Sequence, residues 1–406
     1  MNEYFKIAWR NLWRNKKRTL ITVASVFFAV FLALMMRSMQ FGSYEIMEEN
    51  TIKNTTGYIQ IHQDGYWDDK TINNIFDDTG ISESLDEMSN ISMSIPRLES
   101  FALGSAGSST KGIVVIGTDP EIESRASGLE KRVIEGEYLQ KGDPGVLIVV
   151  NLAKFLKLGV GDTITLISQG YHGVTAAGIY PIRGIISFPS TAMNNKLLYM
   201  DLTQAQYLYG APNMLTSISI MLHNPKKLAS DTTAIREKIG PGYEIMEWKE
   251  MNPEVVQSIE SDNISGMFML GILYIVVGFG ILGTMMMMTL ERKREFGVMV
   301  SVGMQRHKLA TIVFIETIYI ALIGVISGIV AATPLMYYFH LNPIQLTGEA
   351  AKAMLDMNIE PIMPFSMDLP IYYNQAIVVL VLTCIAVLYP LIVIHRFKVL
   401  QAIRGH

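Results

Sequence analysis

Four long apolar stretches constrain the fold of this chain more than any other feature. Each has 18 or more residues without Asp, Glu, Lys or Arg, and they occupy 19–36, 263–290, 317–339 and 369–394. At 1.5 Å of helical rise per residue, each is long enough to cross about 30 Å of hydrocarbon. Charged residues make up only 17% of the 406. The pattern predicts a membrane protein with four spans and argues against a purely soluble enzyme, a disordered chain or a nucleic-acid-binding protein.

The positions of the basic residues predict how the spans are oriented. Lys and Arg outnumber the acids in three short pieces, 1–18, 291–308 and 395–406, whereas the 340–371 loop has one Lys and four acids. The long 42–262 region is acidic. Because basic loops stay in the cytoplasm, both termini and the 291–308 segment are expected inside. The acidic region and the 340–371 loop are expected outside.

These two patterns divide the chain into nine predicted segments. They are a cytoplasmic amphipathic helix (1–18), span one (19–41), an extracytoplasmic α+β domain (42–262), span two (263–290), a cytoplasmic coupling segment (291–308), span three (309–339), an outer loop (340–371), span four (372–394) and a cytoplasmic tail (395–406). The first segment sets Trp and Phe against Lys and Arg, which is typical of an interfacial helix, although it also fits a simple topology signal. Span one is too long for a signal-peptide core and is expected to remain as an anchor.

Strand patterns and short helices alternate through the 42–262 region. Buried strands are predicted at 112–117 and 145–150, and a short helix at 151–158. Helices between strands around one sheet indicate an α+β or α/β layer architecture. The acidic stretch 64–87 is expected to be an exposed insertion, and the scattered acids of the domain a solvated surface. The single cysteine lies in span four, so this domain is expected to fold without disulfides.

Sequence motifs for catalysis or metal binding do not occur. The chain has no Walker A sequence, no HExxH and no GxSxG, and its seven histidines have no metal-ligand spacing. We therefore expect no enzyme activity, no metal site and no cofactor bound by this chain.

Two residues that are charged at neutral pH lie within predicted spans. Glu316 is expected either to serve in a proton relay or to pair at a helix interface with an Arg of the 291–308 segment. The second interpretation is favoured because no other acid lies deep in a span. Arg37, near the outer end of span one, can reach the interface with its long side chain. In span three, Gly324 and Gly328 have the spacing that permits close helix contact.

Methionines cluster near the outer end of span one, at Met35, Met36 and Met39. Methionine suits adaptable binding surfaces. These three residues, with Phe268 and Tyr274 of span two, are candidates for contact with cargo or lipid. The alternative is ordinary packing.

The 291–308 segment, ERKREFGVMVSVGMQRHK, begins with alternating charges, continues with an amphipathic run and ends basic. A short cytoplasmic helix that presents apolar residues between two spans is suited to docking a cytoplasmic partner. The alternative is a surface hairpin with no partner.

This segment and three other regions resemble the MacB/FtsX/LolC-type permeases, four-span subunits of ABC systems that work by mechanotransmission. Span two in that family ends in E-R-x-x-E-[IF]-G and a later Gly, matched here by Glu291, Arg292, Glu295, Phe296, Gly297 and Gly303. The family's span-three Glu and glycines, its Tyr-Pro in span four and its tail are matched by Glu316, Gly324, Gly328, Tyr389, Pro390 and 401–405. The N-terminal AWRNLWRNKKRT also matches, and GVLIVVNLAKFLKLGVGD at 145–162 is nearest to the lipoprotein-releasing LolC/LolE branch.

The resemblance implies a permease in the bacterial inner membrane, with a MacB-like periplasmic core domain between spans one and two. It implies two copies of a separate ATPase, which holds ATP and Mg²⁺, and a second permease, either identical or paralogous. Membrane lipids and a lipoprotein or periplasmic protein would be further partners, and no nucleic acid. ATPase coupling is assigned to Glu291, Arg292, Glu295, Gly297, Gly303 and Met304.

The function implied is extraction of a lipoprotein or another amphiphilic cargo from the outer leaflet or periplasm. Alternatives are an FtsX-like regulator of an extracytoplasmic enzyme and an efflux or peptide-export permease. An ion-coupled secondary transporter that relies on Glu316 is less favoured, because the chain has only four predicted spans and no inverted repeat.

Overall fold

The computed structural model describes residues 2–14, 16–78, 80–188, 193–356 and 361–396. They form two compact units. The helical unit comprises Met1–Ile46, Ser258–Gln345 and Ile362–His406, and the sheet unit comprises Met47–Gln257 and Leu346–Pro361.

Helices and strands alternate irregularly along the chain. The helices are α1 (Asn2–Arg14), α2 (Lys16–Thr51), α3 (Tyr66–Asp69), α4 (Ile81–Asp86), α5 (Pro120–Ser127), α6 (Val150–Leu156), α7 (Met193–Lys196), α8 (Leu202–Tyr209), α9 (Leu228–Ile239), α10 (Trp248–Met251), α11 (Pro253–Glu291), α12 (Lys293–Ser301), α13 (Arg306–Leu341), α14 (Gly348–Asp356) and α15 (Leu369–Arg396). The strands are β1 (Ile59–Gln63), β2 (Phe76–Asp77), β3 (Ile91–Ala106), β4 (Ser109–Thr118), β5 (Val133–Gly136), β6 (Val146–Val149), β7 (Thr163–Gln169), β8 (Thr175–Ile186), β9 (Leu197–Asp201), β10 (Met214–Leu215), β11 (Ser217–Leu222), β12 (Tyr243–Glu247), β13 (Ile344–Gln345) and β14 (Ile362–Met363).

Four helices of the described chain are long and apolar enough to cross a membrane. They are α2 with the turn that follows it, α11, α13 and α15, with mean hydropathies from 2.2 to 3.0. One of them precedes the sheet unit and three follow it, which is the predicted arrangement of one plus three spans. The helices extend beyond the predicted spans, because α2 continues to Thr51 and α11 begins at Pro253.

Close backbone approach joins α2 to α13. A Cβ at Gly324 would lie 2.6 Å from the Val26 side chain, and one at Gly328 would lie 2.9 Å from that of Val30. Both valines are fully buried. The predicted close contact at Gly324 and Gly328 is therefore confirmed, since no larger residue fits at either position.

The glycines of α11 differ from those of α13. Gly271, Gly278, Gly280 and Gly283 have no described atom within 4 Å of an added Cβ. Only 17% of the apolar window of α11 is buried, against 50% for α13. Within the described chain, α11 is therefore the span with the most surface left for lipid or another subunit.

The short helix α1 packs on α13. Ala8 and Leu12 are buried, and the Trp9 ring lies 5.5 Å from that of Tyr319. Phe5, Trp9 and Trp13 are exposed beside this contact. An exposed aromatic row next to a packed face is the geometry that an interfacial helix requires.

A ten-stranded mixed sheet forms the sheet unit. Its order is β12-β1-β11-β3-β4-β9-β6-β8-β5, and β7 pairs with both β3 and β8. The predicted strands and helices at 112–117, 145–150 and 151–158 correspond to β4, β6 and α6. Most pairs are antiparallel, whereas β4–β9 and β6–β8 are parallel. Helices such as α6 and α8 pack on this sheet, which gives the α+β architecture.

The prediction that 64–87 is an exposed insertion is wrong. Phe76 and Leu85 belong to one buried core cluster of the sheet unit, and Ile72 and Ile75 to the other. The acidic composition concealed these apolar residues, which α4 and β2 direct into the core.

Candidate coupling site

The 291–308 segment is a helical hairpin between two membrane helices. The helix α11 ends at Glu291, Arg292 forms the link, and α12 follows. At Gly303 the backbone φ is +105°, a conformation that glycine adopts without strain. The turn therefore requires the glycine that the motif supplies, and α13 begins three residues later.

Phe296 fixes α12 to the membrane helices. Its side chain is 2% exposed and packs in a cluster with Leu309 and Val313 of α13 and Ile394 of α15. The Arg292 guanidinium carbon lies 5.3 Å from the centre of the Phe296 ring. Since α12 has a buried anchor, a force applied to it is transferred to α13 and α15.

Glu316 is paired with Arg292. The Nη1 atom of Arg292 donates to both carboxylate oxygens of Glu316, at 2.7 and 2.8 Å. Both side chains are buried, 10% and 5% exposed. This is the predicted pairing of Glu316 with an Arg of the 291–308 segment. It neutralises a carboxylate that would otherwise be costly in a membrane.

Two further ion pairs connect the hairpin with the N-terminal helices. Arg14 of α1 pairs with Glu295, and Arg18 of α2 pairs with Glu291. Both pairs are partly exposed, so each contributes little to stability on its own. Together they occupy the two glutamates that the sequence motif assigns to the ATPase contact. Glu295 thereby holds α12 against α1, and Glu291 holds the end of α11 against α2.

A cavity of about 340 Å³ lies among these charges. Its lining comprises three arginines, three glutamates and three other residues, namely Asn11, Arg14, Arg18, Thr19, Met288, Glu291, Arg292, Glu295 and Glu316. The Nε of Arg292 has no hydrogen-bond partner in the described chain and lies 3.6 Å from the nearest Glu295 oxygen. The charged cluster is therefore hydratable and incompletely bonded.

The exposed part of the hairpin is apolar. Val298 is 47% exposed and Val302 is 83% exposed, whereas Met304 packs against the Phe296 cluster. A pair of exposed valines at the tip of an anchored hairpin is suited to insertion into a partner. Val302, Arg14 and Arg18 were absent from the predicted site. The amphipathic run contains Val302 and could have indicated its exposure. The pairing of the two arginines with the hairpin could not be recognised, because their glutamate partners are too far away in sequence.

The other predicted site residues lie apart from the hairpin. Arg37 is buried, and its Nη1 donates to Gln40 at 2.6 Å and to Asn263 at 3.0 Å. Met35, Met39 and Tyr274 pack against the core of the helix bundle, and Tyr274 donates a hydrogen bond to Gln375.

Met36 is partly buried and Phe268 is 73% exposed. The candidate cargo residues therefore do not share one surface in the described chain. The matched tail at 401–405 lies outside the described residues. Nowhere in the described chain do three or more His, Cys, Asp or Glu side chains form a group suited to a metal ion.

Two family models match the chain. The MacB-like periplasmic core domain matches residues 19–238, and the FtsX-like permease C-terminal domain matches residues 267–399. The first covers more than half of the chain and spans α2 and most of the sheet unit. The second covers α12, α13 and α15.

Similar curated proteins are distant in sequence. The lipoprotein-releasing system transmembrane protein LolC of Xylella fastidiosa is 20% identical over 320 residues, 76% of each chain. LolC of Buchnera aphidicola is 22% identical over 197 residues, 47% of this chain and 49% of that one. The uncharacterized ABC transporter permease protein Rv0987 of Mycobacterium tuberculosis is 24% identical over 270 residues, 61% of this chain and 30% of that one.

Two solved structures are similar to part of the chain. The periplasmic region of MacB from Actinobacillus actinomycetemcomitans has 14% identity and a TM-score of 0.37, with 50% of this chain and 94% of that one covered. The extracellular domain of the transporter YknZ from Gram-positive bacteria has 12% identity and a TM-score of 0.35, with 47% and 99% covered.

Proposed function

The chain belongs to the MacB/FtsX family of ABC transporter permeases, and we propose that it couples ATP hydrolysis by a separate cytoplasmic ATPase to movement of its sheet unit. In this proposal the chain is a non-catalytic membrane subunit. Two copies of the ATPase carry ATP and Mg²⁺, and two permease subunits, identical or paralogous, form the complex.

The observation that carries this proposal is the anchored hairpin with an apolar tip. Val298 and Val302 are exposed, while Phe296 and the Arg292–Glu316 pair bind the same hairpin to the membrane helices. A partner that closes on ATP and holds the tip would displace α12. Since a ligand shifts a conformational equilibrium only through its differential affinity for the two states, the partner must contact this hairpin differently with and without ATP.

The orientation follows from charge. The hairpin and the N-terminal helix are basic. By the positive-inside rule they lie on the cytoplasmic side of a bacterial inner membrane. The sheet unit, encoded between α2 and α11, then lies outside. This is the side on which an outer-leaflet cargo would be met.

The proposed cargo is a lipoprotein or another amphiphile taken from the outer leaflet. Support comes from the curated relatives named as lipoprotein-releasing proteins and from the exposed apolar surface of α11, which includes Phe268, Ile272 and Phe279. Lipid chains, or the α11 of a second permease, would cover this surface.

Crosslinking from the tip of the hairpin tests the ATPase contact. Cys384 is the only cysteine, so Val302→Cys in a Cys384→Ser background provides a single attachment site. Crosslinked complexes from native membranes should contain a Walker-motif ATPase. Val302→Asp should reduce co-purification of that ATPase about tenfold, the loss expected when roughly 1.4 kcal/mol of binding is removed.

Val174→Asp is the matched control, because Val174 is an exposed valine of the sheet unit (54%). Failure to recover a Walker-motif protein would rule out the proposal. Cargo is tested separately by measuring the ATP-dependent release of acylated proteins from spheroplasts whose inner membrane is intact. An ATPase that binds without any such release would favour a regulator of an extracytoplasmic enzyme.

A further inference from the structure

The helix α2 ends in a π-helical turn within the sheet unit. This turn, Ile52–Thr56, closes with a 2.8 Å hydrogen bond from the Gly57 N–H to the Ile52 carbonyl. Gly57 has φ of +66°, and an added Cβ would lie 2.9 Å from the Ile220 carbonyl oxygen. The chain then enters β1. Single π-turns in helices are frequent at functional sites, so the contacts of this turn are informative.

Two arginines, the buried Arg97 and the partly buried Arg132, hold the turn. Arg97 Nη1 donates to the Thr55 carbonyl oxygen, and Arg132 Nη2 donates to Asn54 Oδ1 at 3.0 Å. Asn54 is 4% exposed and Arg97 is 2% exposed. The end of α2 is therefore fixed through side chains that the sheet unit supplies from its interior.

Arg97 is itself fixed at the centre of the sheet. It lies on β3 opposite Thr118 of β4 and Ser217 of β11. Its Nε and Nη2 donate to the two Glu123 oxygens at 3.0 and 2.9 Å, and Thr118 donates to the same carboxylate at 3.2 Å. Burial opposes the charge, but the Glu123 and Glu99 carboxylates outweigh it and raise the pKa of Arg97.

The chain that leads into α11 reaches the same place. Ile52 packs in one buried cluster with Trp248 and Met251 of α10. The Trp248 N–H donates to the Tyr58 carbonyl at 3.0 Å, and Asn252 Nδ2 lies 3.5 Å from Thr56 Oγ1. The π-turn is thus the common attachment of the two long helices within the sheet unit.

Stability alone does not account for the arrangement. Replacement of a buried ion pair by apolar residues of similar volume is often neutral or stabilising. A paired Arg with a further bond to a helix end has a geometric effect that apolar residues lack. It joins the last turn of a membrane helix to the central strands β11, β3 and β4.

We infer that Arg97 and Glu123 are positioning residues that transmit the movement of α2 into the central strands of the sheet unit. The inference rests on the proposed function, because it requires an ATPase that moves α2. It gives this buried pair of the sheet unit a role in coupling.

The test is a double variant, R97M/E123L, in the full complex with its co-purified ATPase in lipid nanodiscs. Hydrogen exchange of β1, β3 and β11 is compared without nucleotide and with ATP plus vanadate. The variant should keep its thermal midpoint, ATPase binding and ATP hydrolysis. Its nucleotide-dependent change in exchange should fall about fivefold or more, the lower end of common allosteric coupling strengths.

The control variant is R183M/D143N. It removes a pair of the same unit in which the arginine side chain is 47% exposed and the aspartate 14%, with an Nε–Oδ1 distance of 3.0 Å, and it should transmit normally. Arg97→Lys, which keeps the charge, should restore part of the response. Arg97→Lys also provides a second measurement if the double variant does not fold, because one ammonium group cannot keep both the contact with the two Glu123 oxygens and the bond to the Thr55 carbonyl.

Two outcomes would overturn the inference. One is an unchanged exchange response in R97M/E123L or, if that variant is unfolded, in Arg97→Lys. The other is a wild-type complex that hydrolyses ATP but shows no nucleotide-dependent exchange in these strands. In both cases the ATPase proposal stands. If no ATPase co-purifies, the proposed function fails first and this inference fails with it.

Discussion

Within the described residues, each unit contains a buried Arg–Glu pair, Arg97–Glu123 in the sheet unit and Arg292–Glu316 in the helical unit, and the two pairs are built differently. In the sheet unit, Arg97 uses two nitrogens for the two oxygens of Glu123 and a third for a backbone carbonyl. In the helical unit, Arg292 uses a single nitrogen for both oxygens of Glu316. Its Nε lacks a hydrogen bond within the described chain, and the Arg292 residue lines a cavity of about 340 Å³.

The difference indicates two mechanical roles. A bidentate pair with both side chains nearly inaccessible is specific in direction and costly to break. A pair that uses one nitrogen beside a hydratable cavity has an alternative within reach, because a Glu295 oxygen lies 3.6 Å from Arg292 Nε. Under the proposed function, Arg97–Glu123 would be a fixed anchor of the sheet unit, and Arg292–Glu316 would be a joint of the hairpin that rearranges when a partner binds.

Removal of one carboxylate from each pair should produce the largest difference. Glu123→Ala leaves Arg97 charged and buried, and we expect it to destabilise the sheet unit by about 3–5 kcal/mol. Glu316→Ala should cost less, because water in the cavity can hydrate Arg292. Chemical denaturation of the purified protein in detergent measures both, with far-UV circular dichroism as the signal.

Asp143→Ala is the control for a partly exposed pair and should cost no more than about 1 kcal/mol. Equal losses for Glu123→Ala and Glu316→Ala would abolish the distinction between anchor and joint. A larger loss for Glu316→Ala would reverse it.

The pKa of His62 indicates how far water is excluded from the interior of the sheet unit. This β1 residue is 2% exposed, and its Nδ1 lies 3.0 Å from the Thr216 carbonyl oxygen. Burial lowers the pKa of His62 from 6.5 to about 4, and the positive charge of Lys70 contributes to the same shift. Between these values the unfolded chain binds a proton that the folded chain does not. Stability should therefore fall as pH decreases from 6.5 to 4, by up to about 1.4 kcal/mol per pH unit.

The comparison variant is His62→Phe, which retains a ring against Tyr66, 5.1 Å away in the wild type. Burial raises the pKa of nearby Glu99, and that group changes stability in the opposite direction over the acid range. The difference between wild type and variant isolates His62. If stability depends on pH in the same way in wild type and variant, water reaches His62. The interior of the sheet unit would then be less well shielded than the burial of His62 indicates.

The sequence predicted two kinds of feature: those set by a local run of residues, and those that avoid a large free-energy cost. The spans follow from runs without charge, and the Arg292–Glu316 pair follows from the cost of a single carboxylate in a membrane. Glu123 was counted among the acids of a solvated surface, because strand β3 and helix α5 bring it to Arg97 only after β4 has formed between them. The Arg14–Glu295 pair joins residues 281 positions apart, and no periodicity signals such a contact.

The contact between α2 and α13 tests whether the helical unit is rigid away from its joint. Gly324→Val places a side chain where a Cβ already lies 2.6 Å from Val26, and overpacking of this kind costs roughly 1–3 kcal/mol. Gly278→Val on α11 is the matched control, since no described atom lies within 4 Å of its Cβ. Thermal unfolding in detergent should separate the two variants. Equal midpoints would show that α2 and α13 also separate readily, and the joint would then not be confined to the hairpin.

The smallest effect on stability is expected from the exposed pair Arg18–Glu291, yet it tests the joint most directly. Arg18→Glu should change the free energy of unfolding by no more than about 1 kcal/mol, because both side chains are more than a third exposed and the charges are screened. It would place two carboxylates together beside Arg292 and should lower the ATP hydrolysis rate of the co-purified complex. The swap R18E/E291R restores opposite charges and should recover that rate, whereas Lys17→Glu, one residue away on α2, should leave it unchanged. If the swap is as defective as the single variant, the pair does not hold the hairpin through charge, and the comparison with the anchor of the sheet unit rests on Arg292 and Glu316 alone.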